Sequence, residues 1–269
     1  MQVIVRRELF NSTMLKNRIA TVFFFYFVIG SFAQEATRIS NEKVLGKVMI
    51  IPFEPVMYMS QIDKKVNEQT GWNFEEIREN FRRQLDVKIL LKLKNKTQAV
   101  SFYMDSIKMA NDLSYIYKSR SLAYEMVDPK ERNSAANNKK QKNITNGQLT
   151  VEMNNDSRFM NAKIINPALL PSLNKKYGVE HFIFINELDI KYNMDAYDLA
   201  TDSYQRDVMV HYTIMDKTQK IISAGIATVK LSSNENIPKK IVAQAFVPIA
   251  DYIAEQYLST FKSKDAGIK

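Results

Sequence analysis

Two carboxylates and two histidines are the residues of this sequence best suited to acid–base chemistry. Glu187 and Asp189 lie two positions apart in the stretch KKYGVEHFIFINELDI (175–190), which also contains His181, and the second histidine is His211. On a β-strand such residues share one face about 7 Å apart, as a general acid and a general base require. Alternation with apolar neighbours is equally typical of a solvated strand face. We favour that structural interpretation, and the alternative is an exported hydrolase that uses Glu187 or Asp189 with a histidine.

The sequence contains no recognisable metal, nucleophile or phosphate-binding motif. Neither histidine belongs to a His-x-x-Glu or His-x-His pair, and there is no Gly-x-Ser-x-Gly segment and no glycine-rich phosphate loop. The absence of cysteine removes disulfides, thiolate metal sites and cysteine nucleophiles. We therefore predict a non-enzymatic protein with no catalytic residue, no cofactor and no metal, and no small-molecule substrate is indicated.

Residues 1–33 have the composition of an export signal. Two cations precede the apolar run TVFFFYFVIG, and Ser31 and Ala33 supply the small side chains that signal peptidase requires. The run is shorter than the roughly 20 residues of a comfortable membrane-spanning helix. We predict a signal peptide that starts at Met14 and is cleaved after Ala33, which leaves no integral membrane segment. An uncleaved inner-membrane anchor is the alternative.

The positive net charge does not indicate a nucleic-acid partner. The net charge is +9, and residues 1–33 carry four basic residues and one acidic residue, so the remainder carries +6. The densest basic run, Lys139, Lys140 and Lys142, has no interleaved aromatic side chain on which a base could stack. The charge is typical of a soluble protein. The frequent Lys, Asn and Ile indicate a bacterial source, so we predict a periplasmic or secreted protein, with or without association with the outer membrane.

Residues 34–269 predict a single α/β domain with one mixed β-sheet and flanking helices. The 45% hydrophobic and 25% charged content is that of a globular protein. Helical periodicity is clearest after Asn73, a predicted N-cap with Glu76 three positions later. In chain order we predict a strand at 44–53, a helix from 73, a strand at 97–104, a helix at 105–119, a strand at 121–127, a hairpin of 149–153 with 159–165, a helix at 167–177, strands at 181–192, 204–215 and 221–231, and a final helix at 237–261.

Three local signals refine this prediction. The residues between 129 and 147 contain little that could be buried and predict a polar, mobile excursion. Pro248 lacks a backbone N–H, so the final helix should kink near Gln244. The apolar run Phe182–Ile185 indicates that its strand begins in the middle of a sheet covered on both sides and then runs out to a half-exposed surface.

The order of elements resembles a known periplasmic domain. The segments KVMIIPF, LNKKYGVEHFIFINELDI and VMVHYTIMDKTQKIISAGIATVKL, with the closing amphipathic helix, are similar to an α/β domain found in three protein groups. These are the curli secretion channel subunit, the amino-terminal domain of TolB, and the lipoprotein activators of penicillin-binding proteins. The resemblance covers most of residues 44–261. It implies a mixed sheet with packed helices, no catalysis, and work through protein contacts in envelope assembly.

Three departures from that family pattern are visible in the sequence. The chain lacks the lipidated cysteine, it has Gln219 and Lys220 in a hairpin turn where glycine is common, and it contains the excursion at 129–147. Direct lipid anchoring is therefore not implied.

We expect an adaptor or accessory protein for envelope assembly or secretion machinery, whose partner is another envelope protein. The candidate interaction patch comprises Tyr192, Met194, Tyr197 and Tyr204 around the loop MDAYDLATDSY. Tyrosine and methionine at a solvated loop supply adaptable apolar contact. The alternative is that these side chains only cover the end of the sheet.

Overall fold

A six-stranded mixed β-sheet organises the part of the chain that the computed structural model describes, namely residues 46–103, 106–126, 158–199 and 202–265. In chain order the strands are β1 (Val48–Ile51), β2 (Tyr58–Ser60), β3 (Ala99–Ser101), β4 (Arg120–Met126), β5 (Arg158–Ile164), β6 (His181–Asp198), β7 (Ser203–Asp216) and β8 (Ile221–Ser232). The sheet has the order β3-β1-β6-β7-β8, and β2 also pairs with β6. Pairing is parallel for β1 with β3 and β6 and for β2 with β6, and antiparallel along β6-β7-β8. The predicted mixed α/β fold class is confirmed.

A second, two-stranded antiparallel sheet is formed by β4 and β5. Arg120 pairs with Ile164 at one end and Met126 with Arg158 at the other. The hairpin partner that we predicted for β5, residues 149–153, lies outside the described residues, as do the signal peptide and the excursion at 129–147. Those assignments and the domain boundaries therefore stay predictions.

The part of the chain that the structure describes contains six α-helices. They are α1 (Asp63–Thr70), α2 (Phe74–Lys94), α3 (Ser106–Lys118), α4 (Leu169–Tyr177), α5 (Pro238–Ile241) and α6 (Val247–Asp265). The predicted capping box at the start of α2 is present: Asn73 Oδ1 accepts from the Glu76 amide at 3.0 Å, and the Glu76 carboxylate accepts from the Asn73 amide at 2.8 Å. Gly178 ends α4 with φ 67°, a conformation that glycine adopts readily.

The carboxy-terminal helical region is interrupted as Pro248 requires. A π-helical turn, Val242–Phe246, separates α5 from α6 and contains Gln244, the residue whose carbonyl an amide at position 248 would have bonded. Phe246 in this turn is fully buried and meets the Phe81 ring of α2 edge-on at 5.4 Å. The predicted kink is confirmed, and it lies against the core.

Each face of the six-stranded sheet is covered by a different apolar layer. In one layer, the buried stripe of α2 and buried residues of the π-turn and of α6 pack against the sheet. Their contacts there include Leu188, Val210 and Val229. The other packs residues of α3 and α4 and part of β5 against Met49, Phe182 and their neighbours. The prediction that β6 begins in a doubly covered sheet is confirmed.

The prediction that β6 then runs out to a half-exposed surface at Glu187 and Asp189 is wrong. Glu187 is fully buried and Asp189 is 2% exposed. The reason is the small β4-β5 sheet, whose residues contact β6, β7 and β8 on this face. Glu187 and Asp189 therefore face a second layer of protein rather than bulk water.

Candidate functional site

A β-bulge in β6 determines which polar side chains of this strand lie on the face toward β4 and β5. The register between β6 and β7 shifts between Ile185 and Glu187, after which Glu187 is opposite His211 and Asp189 is opposite Met209. Directly opposed residues of an antiparallel pair project from the same face, so both carboxylates and the histidine point toward β4 and β5. The carboxylates and the histidine meet only because β6 pairs with β7. No local sequence motif therefore indicates the cluster.

Some of these polar side chains bind backbone groups of β5. The Met160 amide donates to His211 Nδ1 at 2.8 Å, and the Ala162 amide donates to Thr213 Oγ1 at 3.1 Å. The Asn186 side-chain amide donates to the Met160 carbonyl at 2.8 Å. Buried backbone groups need hydrogen-bond partners, and here side chains of the large sheet supply them. Part of the polar cluster is therefore structural.

The two carboxylates share a buried environment. The Tyr124 hydroxyl donates to the Glu187 carboxylate at 2.9 Å, and Lys191 Nζ forms an ion pair with Asp189 Oδ2. Burial, followed by the nearby charge of Asp189, raises the pKa of Glu187 to about 7. Below that pH Glu187 is mainly protonated.

His211 is a buried, neutral imidazole close to these carboxylates. The ring is 3% exposed, and burial lowers its pKa to about 4. Because Nδ1 accepts the Met160 amide, the proton of the neutral ring resides on Nε2. This tautomer has no free lone pair at Nε2 with which to accept a proton.

The same tautomer bears on metal binding. Ligand atoms of Glu187, Asp189 and His211 lie within 4.8 Å of one another, so by distance alone the three residues could surround an ion. A metal at Nε2 would force the ring proton onto Nδ1, where the Met160 amide already points. The three side chains therefore do not fit a divalent metal.

A nuclear magnetic resonance titration tests this assignment. We expect the ¹⁵N spectrum of His211 to show the Nε2–H tautomer and no protonation above about pH 5, because the ring is buried and Nδ1 is occupied. His181 is the internal control, and His181→Asn assigns the two rings. Equimolar Zn²⁺ should leave the His211 resonances unchanged. An Nδ1–H ring, or a shift on addition of Zn²⁺, would contradict the assignment.

A pocket of about 370 Å³ opens beside the cluster, lined by Tyr124, Arg158, Asp189, Lys191, Met209, His211 and Ile226. Two buried polar atoms of its lining, Asp189 Oδ1 and His211 Nε2, have no hydrogen-bond partner among the described residues. The sequence had indicated Glu187, Asp189 and His211 as residues of interest, but not Tyr124 or Arg158. Those two belong to the small sheet, whose position over β6 and β7 no sequence pattern revealed.

His181 lies apart from this cluster. It is the first residue of β6, six positions before Glu187, which corresponds to roughly 20 Å along a strand. Its Nδ1 lies 3.2 Å from the Tyr257 hydroxyl, and its ring contacts Phe261 at 5.0 Å. A hydrolase mechanism that pairs His181 with Glu187 or Asp189 has no geometric support.

The candidate interaction patch lies at the far end of the β6-β7 hairpin. Tyr197 and Tyr204 are cross-strand partners whose rings meet edge-on at 5.3 Å, and both are exposed. Met194 is 66% exposed, and Leu199, which the sequence reading did not include, is 87% exposed. Tyr192 differs: it is half-buried and stacks under the Arg206 guanidinium at 5.1 Å. The structure thus brings three of the four predicted residues to one exposed end, and their binding role stays a prediction.

Comparisons with known proteins do not assign this chain to a family. No protein-family model and no curated protein matches the sequence. A hypothetical protein of Chlamydia trachomatis matches with 13% identity and a TM-score of 0.36, over 80% of this chain and 98% of that one. A lipoprotein of Neisseria meningitidis matches with 9% identity and a TM-score of 0.32, over 83% of this chain and all of the other.

Similarities of this size carry no argument about function, and the resemblance to the curli channel, TolB and lipoprotein-activator domain stays a prediction. Among the helices that the structure describes, none has the length and apolar character needed to span a bilayer.

Proposed function

We propose that this protein is a non-enzymatic accessory protein of the bacterial cell envelope that acts by binding another protein. One observation carries the proposal: the end of the β6-β7 hairpin exposes Met194, Tyr197, Leu199 and Tyr204. Aromatic side chains and methionine are enriched in protein interfaces, and grouped apolar exposure is uncommon on a soluble surface without a binding role. The export signal predicted in residues 1–33 supports the envelope location.

The charge of the hairpin end defines the kind of partner. Residues 193–205 contain three aspartates and no lysine or arginine. Asp202 accepts a hydrogen bond from the Tyr197 hydroxyl, which holds one carboxylate beside the exposed rings. An anionic lipid surface would repel such a loop. The complementary partner is a protein with an apolar groove bordered by basic side chains.

The chemistry of the buried cluster supports binding rather than turnover. A general base needs an available lone pair, and His211 presents an N–H instead. The carboxylates are already bonded, Glu187 to Tyr124 and Asp189 to Lys191. Because the His211 ring offers no base to a substrate, we propose no reaction for this site.

In-cell photo-crosslinking tests the proposed partner. A photoreactive residue placed at Leu199 should give a reproducible crosslink to one envelope protein in the native host. We expect the double change Tyr197→Ser and Tyr204→Ser to abolish that crosslink, because two exposed rings leave the contact. Ile165→Ser, which alters an exposed apolar side chain far along the sequence, is the matched control.

Two further measurements accompany the crosslinking experiment: its dependence on ionic strength and the thermal stability of each variant. Crosslinking should weaken as ionic strength rises, since aspartates pair with basic groups across the contact. Unchanged crosslinking in the double variant, or recovery of a monomer without any crosslinked partner in every growth condition, would refute the proposal. Thermal unfolding of each variant verifies that only the surface has changed.

A further inference from the structure

The hydrogen-bond pattern of the small sheet shows which backbone groups of β4 bond to β5. Just outside the ladder, the Ile165 amide donates to the Ser119 carbonyl at 2.9 Å, so these two residues form a hydrogen-bonded pair. Hydrogen-bonded and non-hydrogen-bonded pairs alternate along an antiparallel ladder. The amides of Met160 and Ala162 agree with this alternation, because both donate to side chains of the large sheet. The β4 residues that bond to β5 are therefore Ser121, Ala123 and Glu125.

The other residues of β4 direct their backbone N–H and C=O groups away from β5. These residues are Arg120, Leu122, Tyr124 and Met126. Arg120 is buried, with its guanidinium 5.0 Å from the ring of Tyr117. From Leu122 to Met126, the structure describes no third strand of the small sheet on that side. This open edge has the length of an ordinary strand.

The open edge of β4 is accessible and lacks the usual protection of an edge strand. Tyr124 is 49% exposed and Met126 is 59% exposed. Proteins commonly protect such edges with proline, lysine or another inward-pointing charge. Residues 121–126 contain no proline and no lysine, and their one charged residue, Glu125, pairs with Lys163 of β5 at 2.6 Å. Unpaired backbone groups on an exposed edge are a template for a further strand.

The layer beneath this edge is also left open. The bonds to the Met160 and Ala162 amides place β5 above β7, and the Tyr124–Glu187 bond places β4 above β6. Strands are spaced alike in both sheets, so a third strand beside β4 lies above β2, the neighbour of β6. Met59 of β2 is level with Asp189 and shares its face of the sheet, yet it is 45% exposed. The small sheet thus ends one strand short of covering Met59.

We propose that the open edge of β4 binds an extended segment of a partner protein, which adds a third strand to the small sheet and covers Met59. Its inward side chains meet Met59 and the flanks of Tyr124 and Met126, so apolar residues suit those positions, and polar residues suit the alternate positions that face solvent. A second copy of this chain cannot supply its own β4, because the β6 beneath that strand would occupy the place of β2. This surface is separate from the hairpin end and does not depend on it.

Hydrogen exchange of the purified protein, measured by NMR with a model strand, tests the proposal. The probe is an acetylated six-residue peptide amide in which two valines alternate with two threonines between terminal glutamates. We expect saturable binding with a Kd below about 1 mM. Bound peptide should slow exchange of the Leu122, Tyr124 and Met126 amides, which gain partners. The Ser121 and Ala123 amides already bond to β5 and should change little.

Two matched peptides identify backbone pairing, one N-methylated at both valines and the other at both threonines. An N-methyl group removes a donor and cannot fit between paired strands. Alternate residues of a strand face opposite edges, so one of these peptides should lose at least tenfold in affinity and the other should bind like the parent. Equal binding of the two peptides would overturn the proposal, since contact through side chains alone does not distinguish them.

Met59→Ser should weaken binding of the parent peptide about tenfold, because an apolar contact beneath the added strand is lost. Leu91→Ser is the matched control, since Leu91 is 53% exposed on α2, which packs on the opposite face of the large sheet. Unchanged affinity of Met59→Ser would contradict the proposed position of the strand. So would protection of the three amides that grows with protein concentration in the absence of peptide, because that result indicates a second copy at the edge.

Discussion

Replacing Arg206 by methionine should lower the free energy of unfolding by about 3 kcal/mol, the cost of breaking a buried, hydrogen-bonded charge site. Arg206 is fully buried. Its guanidinium donates to the Glu235 carbonyl at 2.7 Å, to the Ser233 carbonyl, and to Asn236 Oδ1 at 2.9 Å. These bonds hold the connection between β8 and α5. Methionine replaces only the apolar stem of the arginine side chain and leaves every one of those oxygens without its donor.

Urea unfolding of the variant and the native protein measures this effect. Lys239→Gln is the control, because Lys239 is exposed and lies just after the same connection. Its free energy of unfolding should stay within about 0.5 kcal/mol of the native value. If Arg206→Met were as stable as Lys239→Gln, the hydrogen bonds of Arg206 would contribute nothing to the fold.

Asp86→Asn should remove about 4 kcal/mol of pH dependence from the stability of the protein, at 1.36 kcal/mol for each pKa unit. Asp86 is buried in α2, and burial raises its pKa from 3.8 to about 7. Between those values the folded protein holds a proton that the unfolded chain releases. The stabilisation from this proton is complete below about pH 4 and is lost as the pH rises through about 7. Asparagine is neutral at every pH and keeps an oxygen for the Ser101 hydroxyl.

The measurement compares urea unfolding at about pH 4 and pH 8 for both proteins. The native free energy of unfolding should fall more steeply across this range than that of Asp86→Asn. Other titrating groups, Glu187 included, act equally in both proteins and cancel in the difference. Glu68→Gln, a change at an exposed carboxylate, should follow the native curve. Parallel curves for Asp86→Asn and the native protein would show that Asp86 titrates normally.

Strong local patterns made much of the fold predictable. The Asn73 capping box fixed the start of α2, and Pro248 located the interruption before α6. The elements that were missed are short or atypical. α1 buries only Val66 within its eight residues, too few to form an apolar stripe, and β2 has three residues. β6 extends to Asp198 through Asn and Asp residues, which are depleted in strands because their side chains compete for backbone hydrogen bonds.

The site was less predictable because it depends on how elements far apart in the chain pack. Polar and apolar residues alternate at Glu187 and Asp189 whether the polar face meets water or a polar layer of protein. Tyr124 and the backbone of Met160 supply that layer, and each comes from a different strand of the small sheet. The tautomer of His211 likewise follows from a single backbone amide. Neither the composition nor the spacing of residues in the sequence indicates such contacts.

The position of β1 between β3 and β6 fixes an order of events during folding. All four residues of β1 are buried, and its partner β6 begins about 130 residues later in the chain. The β6-β7-β8 meander joins neighbours in sequence, so it can form quickly from local contacts, whereas closing the long interval to β1 is slow. A chain that emerges from its amino terminus therefore carries Val48–Ile51 uncovered until most of its length has been made. We therefore expect the first strand of the sheet to be the last to gain its second neighbour, and until then this apolar segment is open to aggregation.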